Sequence, residues 1–322
     1  MEFNKPNIFI SKCIEHGHCR YDGSMISSEF VKKLEPYVNY LYSCPEMDIG
    51  LPSPREALRI IVENGVEKIV SSKSGKDVTE DMVRYAEIKA DELKNESLDG
   101  FILKGRSPSC GVKDVKMYKS FGKAPAIPQK TSGVFGGIID EKFNLLPVED
   151  EGRLTNFSIR EHFYTRIFTT AKFRIIKKNM KLVDLVKFHS DNKYLFMAYN
   201  QGRLKTLGKI VANHEKKKAD VLYKEYEAEL LELLKTPASS KRKMNVALHI
   251  LGYFSNDLSS KEKAYFLDLM QQYVDNQIPF SNLVAVLEMW AIRFDIDYLN
   301  NQSIFNPFPK DLIKVTDSGK GL

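Results

Sequence analysis

Short apolar runs alternate with amphipathic ones in the first half of the chain. NIFISKC, YVNYLYSC and LDGFILKG are short, rich in β-forming residues and bounded by turn residues, which is typical of buried strands in a parallel sheet. Helical periodicity lies between them, in SSEFVKKLEPYV and DVTEDMVRYAEIKADELKN. This order of elements predicts an α/β domain built on a Rossmann-like parallel sheet.

Three further segments belong to the same domain. Pro54, which follows an N-capping serine, predicts a helix through PREALRIIVENG. EKIVSS has strand character, and GGIIDEKF predicts a last strand with its loop. The glycines of TSGVFGG allow the backbone to approach a ligand closely, but they match neither a dinucleotide-binding fingerprint nor a phosphate-binding P-loop.

The second half of the chain has a helical pattern throughout. Apolar residues recur three or four positions apart, as in KLVDLVKFHS. Asn200-Gln201-Gly202, Thr236-Pro237 and Ile278-Pro279 predict breaks between helices. An all-α second domain is therefore expected.

A length of 322 residues accommodates two domains with full cores. The predicted ranges are 1–155 for the α/β domain and 160–322 for the helical one, with the link near EDEGRLTN. No apolar run approaches the roughly 20 residues of a membrane span, and MEFNKPNIF lacks the pattern of a signal peptide. We therefore expect a cytoplasmic protein without a membrane partner, whose four cysteines are thiols or metal ligands rather than disulfides.

The net charge of +6 is distributed unevenly. Residues 1–150 carry 21 basic and 23 acidic side chains, whereas residues 151–322 carry 27 and 19. The basic excess of the second half indicates a polyanionic partner, although solvated helical faces have the same composition.

Three of the cysteines follow predicted strands. Cys13, Cys44 and Cys110 come after the three apolar runs, and ligands of open α/β sheets bind beyond the carboxyl ends of the strands. Three thiols at one edge predict a soft-ligand site with a fourth metal position left open. Without a C-x-x-C pair a zinc ribbon is disfavoured, and the spacing suits an iron–sulfur cluster. Cys19 lies in the middle of a loop and is the least favoured ligand, and all four could also be buried small hydrophobes.

Several polar residues accompany the cysteines. Glu46 follows Cys44 by two residues, so it is a candidate general base on a bound water, or a loop carboxylate in a salt bridge. The other candidates bind substrate, donate hydrogen bonds or stabilise their loops; they are Arg20, Tyr21, Asp22, Lys104, Arg106, Ser107 and Ser109.

SKCIEHGHCRYDG, CPEMDIGLPSPRE and LKGRSPSCG, in this order, resemble the motifs of the thiouracil desulfidase (TudS-type) family. The resemblance covers roughly residues 7–140 and implies a [4Fe-4S] cluster held by Cys13, Cys44 and Cys110, with one iron free to accept the substrate's sulfur. It also implies that Glu46 and Ser107 assist catalysis. The first motif departs from the commoner S-A-C-L-L-G form around Cys13, which affects the expected substrate contacts there.

The second half resembles the YbgA-like domain through KFHSDNKYLFMAYNQGRLKTLG and MNVALHILGYFSNDLSSKEK. Chains that join both domains look like long-form desulfidases that remove sulfur from 4-thiouridine in tRNA. We therefore expect tRNA as the partner and a phosphate-contacting face on the helical domain. Its candidate residues are Lys172, Arg174, Lys177, Lys178, Lys181, Arg203 and Lys205.

Two alternatives remain at this point. One is a desulfidase of free thiouracil or another small thiolated compound, with the helical domain serving assembly. The other is a non-catalytic RNA-binding module that contains iron–sulfur or zinc.

Overall fold

Strands and helices alternate through the first 150 residues of the computed structural model, which describes residues 3–314. In chain order the elements are β1 (Asn7–Ser11), α1 (Glu29–Leu34), β2 (Asn39–Ser43), α2 (Pro45–Asp48), β3 (Leu58–Glu63), β4 (Val66–Ser71), α3 (Thr79–Leu93), β5 (Gly100–Leu103), β6 (Val115–Tyr118), β7 (Ala126–Thr131), α4 (Val134–Lys142) and β8 (Val148–Asp150).

A parallel sheet of order β2-β1-β5-β8 forms the centre of this region. Ile8, Ile10, Phe101 and Leu103 are buried in its two middle strands, which explains the uninterrupted apolar runs. The predicted α/β fold class is thereby confirmed. Strand order reverses between β1 and β5, and such a reversal opens a crevice at the carboxyl ends of the strands.

A second sheet, of order β4-β3-β6-β7, was not expected from the sequence. The predicted helix through PREALRIIVENG is wrong, because Leu58–Glu63 is a strand that pairs antiparallel with β4 and parallel with β6. Asn64 and Gly65 form the two-residue turn between β3 and β4, with φ values of 53° and 80°. A turn with positive φ at both central residues favours Asn-Gly and matches the twist of a hairpin. The Asn-Gly pair was therefore the local signal for the hairpin.

The strand predicted in GGIIDEKF is also wrong, because this segment belongs to helix α4. Phe135 and Ile139 are fully buried and lie four positions apart, on one face of the helix. The last strand of the parallel sheet is β8, which follows the helix and pairs with β5.

Helices make up the second half, as predicted. They are α5 (Phe157–Asn179), α6 (Leu182–Asp191), α7 (Lys193–Tyr199), α8 (Gln201–Ala212), α9 (Ala219–Leu234), α10 (Ser240–Leu251), α11 (Ser260–Val274), α12 (Phe280–Arg293) and α13 (Asp297–Asn300). Two of the predicted breaks, Thr236-Pro237 and Ile278-Pro279, fall between helices, and at the first break only Asn200 separates α7 from α8. At the first, the Asn200 side chain caps α8 by accepting a hydrogen bond from the backbone N–H of Arg203 at 3.1 Å.

The chain separates into two compact units, the first made of residues up to Ala171 together with the segment from Pro309 onward, and the second of Lys172–Phe308. The division falls inside α5, so it differs in position from the link expected near EDEGRLTN. The second unit has its own core, which includes Tyr226, Leu230 and Trp290. The sequence ranges 1–155 and 160–322 stay predictions. Within residues 3–314, no helix is both long and apolar enough to cross a membrane.

The start of α4 packs closely against the loop that carries Cys110. The backbone N–H groups of Gly133, Val134 and Gly136 donate to the carbonyls of Gly111, Pro108 and Ser109 at 2.6, 3.1 and 3.0 Å. These donors have no partner inside the helix, and the loop carbonyls satisfy them. The glycines of TSGVFGG thus allow a close approach of two backbone segments, rather than the approach of a ligand that we expected.

Replacing Gly136 by alanine is expected to lower the free energy of unfolding by about 1–3 kcal/mol, the usual cost of overpacking a close-packed site. The added Cβ would lie 2.4 Å from the Cys110 carbonyl oxygen and 2.5 Å from that of Gly111. Urea unfolding of both proteins measures the difference. Gly137→Ala is a matched control on the same helix, because its Cβ would mainly meet the rotatable Ser132 hydroxyl. Equal stability of the two variants would contradict this account of the packing.

Candidate active site

The carboxyl ends of β1, β2 and β5 open into one cavity of about 370 Å³. Cys13 lies two residues beyond β1, Cys44 directly follows β2, and Cys110 lies in the loop between β5 and β6. The predicted convergence of these three positions at one edge is therefore present. The cavity is lined by Ser11, Lys12, Cys13, Cys19, Arg20, Tyr21, Ser43, Cys44, Pro45, Glu46, Arg55, Ala57, Leu58, Lys104, Gly105, Arg106, Ser107, Pro108 and Cys110.

Cys19 also lies on the cavity wall, although its position in the middle of a loop made it the least favoured of the four. The loop folds back on itself, because the N–H of Ile26 donates to the carbonyl of Cys13 at 2.8 Å and Ile14 forms a bridge with Ile26. This closure brings Cys19 close to Cys13, which lies six positions earlier in the sequence. Sequence spacing alone did not reveal it.

The four thiols are buried, free and mutually interacting. A hydrogen bond with Cys13 and burial raise the pKa of Cys19 to about 11. A hydrogen bond with Cys19 and burial raise the pKa of Cys44, and burial raises that of Cys110. Because iron binds the thiolate form, loading of the site would release protons.

Glu46 lies in the first turn of α2 and is held by two partners. One of its carboxylate oxygens, Oε1, accepts a hydrogen bond from the Ser109 hydroxyl at 2.7 Å. The other, Oε2, accepts from Arg55 Nε at 2.8 Å and also from Arg55 Nη2. The Glu46 and Arg55 side chains are only 13% and 5% exposed. Glu46 therefore forms the salt bridge that one of its two interpretations predicted, and its carboxylate lies on the cavity wall.

Arg55 was not among the candidates from the sequence. Its guanidinium donates to the Cys19 carbonyl and to the Pro52 carbonyl, both at 3.0 Å, in addition to Glu46. A planar fork with five donors can connect three acceptors in this way. The signal that could have indicated it is an arginine placed nine residues after a carboxylate in the same cysteine-bearing segment.

The two serines next to Cys110 have different positions. The Ser107 hydroxyl oxygen lies on the wall and accepts hydrogen bonds from the backbone N–H groups of Ser109 and Cys110, both at 3.2 Å. Ser109 is fully buried behind the wall, where it contacts Glu46. Ser107 thus shapes the loop that carries Cys110, and Ser109 orients Glu46.

Of the polar cluster after Cys19, the structure brings Arg20 and Tyr21 to the cavity but not Asp22. Asp22 accepts hydrogen bonds from the Ser24 hydroxyl at 2.6 Å and the Ser24 N–H at 3.1 Å, which lower the pKa of its carboxyl group. Arg20 donates to the Ser24 hydroxyl at 2.8 Å. Asp22 therefore stabilises the loop, whereas Arg20 and Tyr21 are placed to meet a ligand.

Lys104 and Arg106 both lie on the wall after β5. The Lys104 ammonium forms an ion pair with Glu151 and donates to the Gly105 carbonyl at 2.7 Å. Glu151 follows β8 directly, so the fourth strand of the sheet supplies the partner of this lysine. Glu151 was not among the candidates from the sequence.

The candidate phosphate-contacting residues all lie in the second unit, but they differ in their partners. Lys177 pairs with Glu227 at 2.5 Å, and Arg203 pairs with Glu229 at 3.0 Å. Lys172 approaches Asp191 at 4.0 Å, and Arg174 lies on the same helix. Three others, Lys178, Lys181 and Lys205, are exposed.

The donor set of the cavity fits a cluster better than a single ion. In the part of the chain that the structure describes, no three His, Cys, Asp or Glu side chains are arranged around one metal position. Four thiols instead share the wall of one cavity, and thiolates are the ligands that hold iron–sulfur clusters. The basic side chains Lys12, Arg20 and Arg106 on the same wall suit an anionic group.

Two family models match the chain. Residues 8–151 match the model described as 2-thiouracil desulfurase, and residues 193–309 match a protein family of unknown function, DUF1722. The uncharacterized protein YbbK of Bacillus subtilis is 39% identical over 110 residues, which cover 32% of this chain and 72% of that protein. The uncharacterized protein YbgA of Escherichia coli is 26% identical over 156 residues, which cover 48% of this chain and 92% of that protein.

A solved structure named as a [4Fe-4S]-dependent thiouracil desulfidase, TudS, is 27% identical, covers 47% of this chain and 93% of its own, and superimposes with a TM-score of 0.38. The matched range 8–151 contains the whole cysteine-lined cavity, and the second match lies within the helical unit except for its last residue. Through residues 8–151, this chain belongs to the 2-thiouracil desulfurase family.

Proposed function

We propose that this chain is a [4Fe-4S]-dependent desulfidase that converts the thiocarbonyl of 4-thiouridine in tRNA to a carbonyl. The observation that carries the proposal is the convergence of Cys13, Cys44 and Cys110 on one cavity that also contains Glu46. Family membership supports the reaction class. The tRNA substrate and a cytoplasmic location are the finer parts of the proposal, and they rest on the resemblance of the two joined domains.

Cys13, Cys44 and Cys110 would hold the cluster, because β1 and β2 fix the first two at the edge of the sheet and contacts with α4 fix the loop that carries the third. When bound, such a cluster supplies a Lewis-acidic iron for the sulfur of the substrate. The remaining steps belong to side chains of this chain.

Glu46 takes a proton from the attacking water in this mechanism. Ser109 and Arg55 fix the carboxylate, and Oε1 keeps one acceptor site in addition to the Ser109 hydrogen bond. The water oxygen forms a bond to the ring carbon, the C–S bond breaks, and sulfur leaves as sulfide. Carbonyl and hydrogen sulfide replace thiocarbonyl and water, so no oxidant or reductant is consumed.

Ser107 assists in this mechanism as a hydrogen-bond donor to the substrate. Its oxygen already accepts two backbone N–H groups, which leaves its own hydroxyl proton to donate into the cavity. A donor at this point stabilises negative charge that develops on the substrate. Arg20, Tyr21 and Lys104 line the same wall and contact the substrate.

The helical unit supplies affinity for tRNA in this proposal. Residues 151–322 hold the basic excess of the chain, and Lys178, Lys181 and Lys205 are exposed on α5, after it and on α8. Lys177 and Arg203 contribute less free charge than the sequence indicates, because carboxylates lie against them. Activity on free thiouracil without RNA binding is the competing outcome.

Alanine at Cys13, Cys44 or Cys110 is expected to abolish cluster binding, because each substitution removes one of the three thiolates that would hold the cluster. Anaerobic reconstitution followed by iron and sulfide analysis and an absorption spectrum measures it. Cys19→Ala should still acquire the visible absorption of a cluster. A chain that takes up no iron under these conditions would contradict the proposed function.

Glu46→Gln should retain the cluster and lose turnover by about 10²–10⁴-fold, the contribution of one positioned proton-transfer group. The amide preserves the shape of the side chain but cannot accept the proton. Single-turnover release of sulfide from 4-thiouracil and from thiolated tRNA gives the rate. Glu63→Gln, on the exposed end of β3, is the control and should react like the unmodified chain. Unreduced turnover by fully loaded Glu46→Gln would exclude this role.

Replacing Lys178, Lys181 and Lys205 together by alanine should weaken tRNA binding and reduce its dependence on salt. Each lost phosphate contact lowers the log–log salt slope by about 0.9 if the behaviour of duplex DNA applies. Filter binding at several salt concentrations measures both. A triple variant of Lys224, Lys235 and Lys261 removes equal charge from other exposed positions of the second unit. If the two triple variants bind equally well, the predicted face is not the RNA-binding surface.

A further inference from the structure

Four thiols lie on the cavity wall, and the proposed function gives a role to three of them but not to Cys19. It is 5% exposed. It forms hydrogen-bond contacts with the thiols of Cys13 and Cys44, and it interacts electrostatically with Cys110. Cys19 therefore lies beside two of the thiols that would hold the cluster and shares the cavity wall with the third.

The backbone at Cys19 is fixed in this position. Its carbonyl accepts hydrogen bonds from Arg55 Nη2 at 3.0 Å and from the Cys44 thiol at 3.8 Å. The Ser53 hydroxyl contacts the carbonyls on either side, those of His18 and Arg20, at 3.1 and 3.0 Å. Two segments of the first unit, at Cys44 and at residues 53–55, thus hold the loop against the cavity. Cys19 is therefore not a free surface thiol.

The segment on which Cys19 lies nevertheless differs from the segments of the other three cysteines. Cys13 and Cys44 lie within two residues of β1 and β2, so the parallel sheet sets their positions. Cys110 lies in the loop after β5, which the start of α4 holds through backbone hydrogen bonds. Cys19 belongs to a loop whose regular pairing is limited to a single β-bridge and whose backbone is held by side chains. The Cys19 thiol can leave and return by rotation of its side chain while its backbone and the other three ligands stay in place.

We propose that Cys19 is the fourth thiolate ligand of the cluster in the substrate-free enzyme, and that the sulfur of the substrate displaces it. A four-iron cluster is complete with four cysteine ligands, and the cavity wall carries four thiols. The inference rests on the proposed function, because it presupposes that the cluster is bound.

The exchange is balanced without a change of oxidation state. The bond between iron and the Cys19 sulfur breaks as a bond to the sulfur of the substrate forms, and the released thiolate takes a proton from solvent. When sulfide leaves, the thiol loses that proton and binds again. Until substrate arrives, no iron is open to water or to chelators.

Retention of the fourth iron tests this assignment without measuring turnover. The full chain and its Cys19→Ala variant are reconstituted anaerobically, exposed to ferricyanide with a chelator, desalted and analysed for iron per protein. The unmodified chain should keep its iron, whereas Cys19→Ala should lose about one iron in four, the iron that a three-cysteine cluster leaves without thiolate. Cys13→Ala, which removes a strand-end ligand, should lose the whole cluster.

Mössbauer spectra of ⁵⁷Fe-loaded protein give a second readout. One distinct iron site should appear in substrate-free Cys19→Ala and be absent from the unmodified chain. Cys19→Ser is made in parallel, since its oxygen can bind the same iron and should restore part of the iron retention if Cys19→Ala folds poorly.

Equal iron loss from the unmodified chain and Cys19→Ala, with the same distinct iron site in both, would overturn the role of Cys19 and leave the proposed desulfidase untouched. Absence of any cluster from the unmodified chain would instead contradict the proposed function itself.

Discussion

The parallel pairing of β1 with β2 on one side and β5 on the other is the constraint on which the site depends. It places the carboxyl ends of all three strands at one edge, and the pairing of Ser11 with Ser43 extends into the loops through the hydrogen bond from Lys12 N to the Ser43 carbonyl at 2.9 Å. An antiparallel five-residue strand would carry its cysteine to the opposite edge, roughly 16 Å away at about 3.3 Å per residue. The direction of the strands therefore decides whether a thiol cavity exists.

A buried ion pair adds a second constraint at the same edge. Glu46 and Arg55 are almost fully withdrawn from water, and a buried charge that loses its partner costs about 3–5 kcal/mol. Arg55 satisfies this requirement and also binds the carbonyls of Cys19 and Pro52, so one guanidinium connects the carboxylate to the loop that carries the fourth thiol. The position of the Glu46 carboxylate and the position of Cys19 are coupled for this reason.

In the second unit, salt bridges reduce the positive charge that its composition indicates. Its sequence has a clear basic excess, yet Lys177 and Arg203 lie against glutamates within the same unit. Partly exposed pairs of this kind contribute only about 0–1 kcal/mol to stability, but they reduce the positive potential that a polyanion meets. Lys178, Lys181 and Lys205 are exposed and keep that potential.

The sequence by itself determined the strands β1, β2 and β5, the helical second half and the three strand-end cysteines. Uninterrupted apolar runs and helical periodicity are local patterns, and strand direction follows from the alternation with helices. Asn64-Gly65 is a local signal for the hairpin of β3 with β4, but only the tertiary structure decided that residues 58–63 join a second sheet, because their parallel partner β6 comes some fifty residues later in the chain. It also placed Cys19 beside the other thiols and Arg55 beside Glu46. Both contacts depend on how loops fold back against the sheet, and neither composition nor periodicity carries that information.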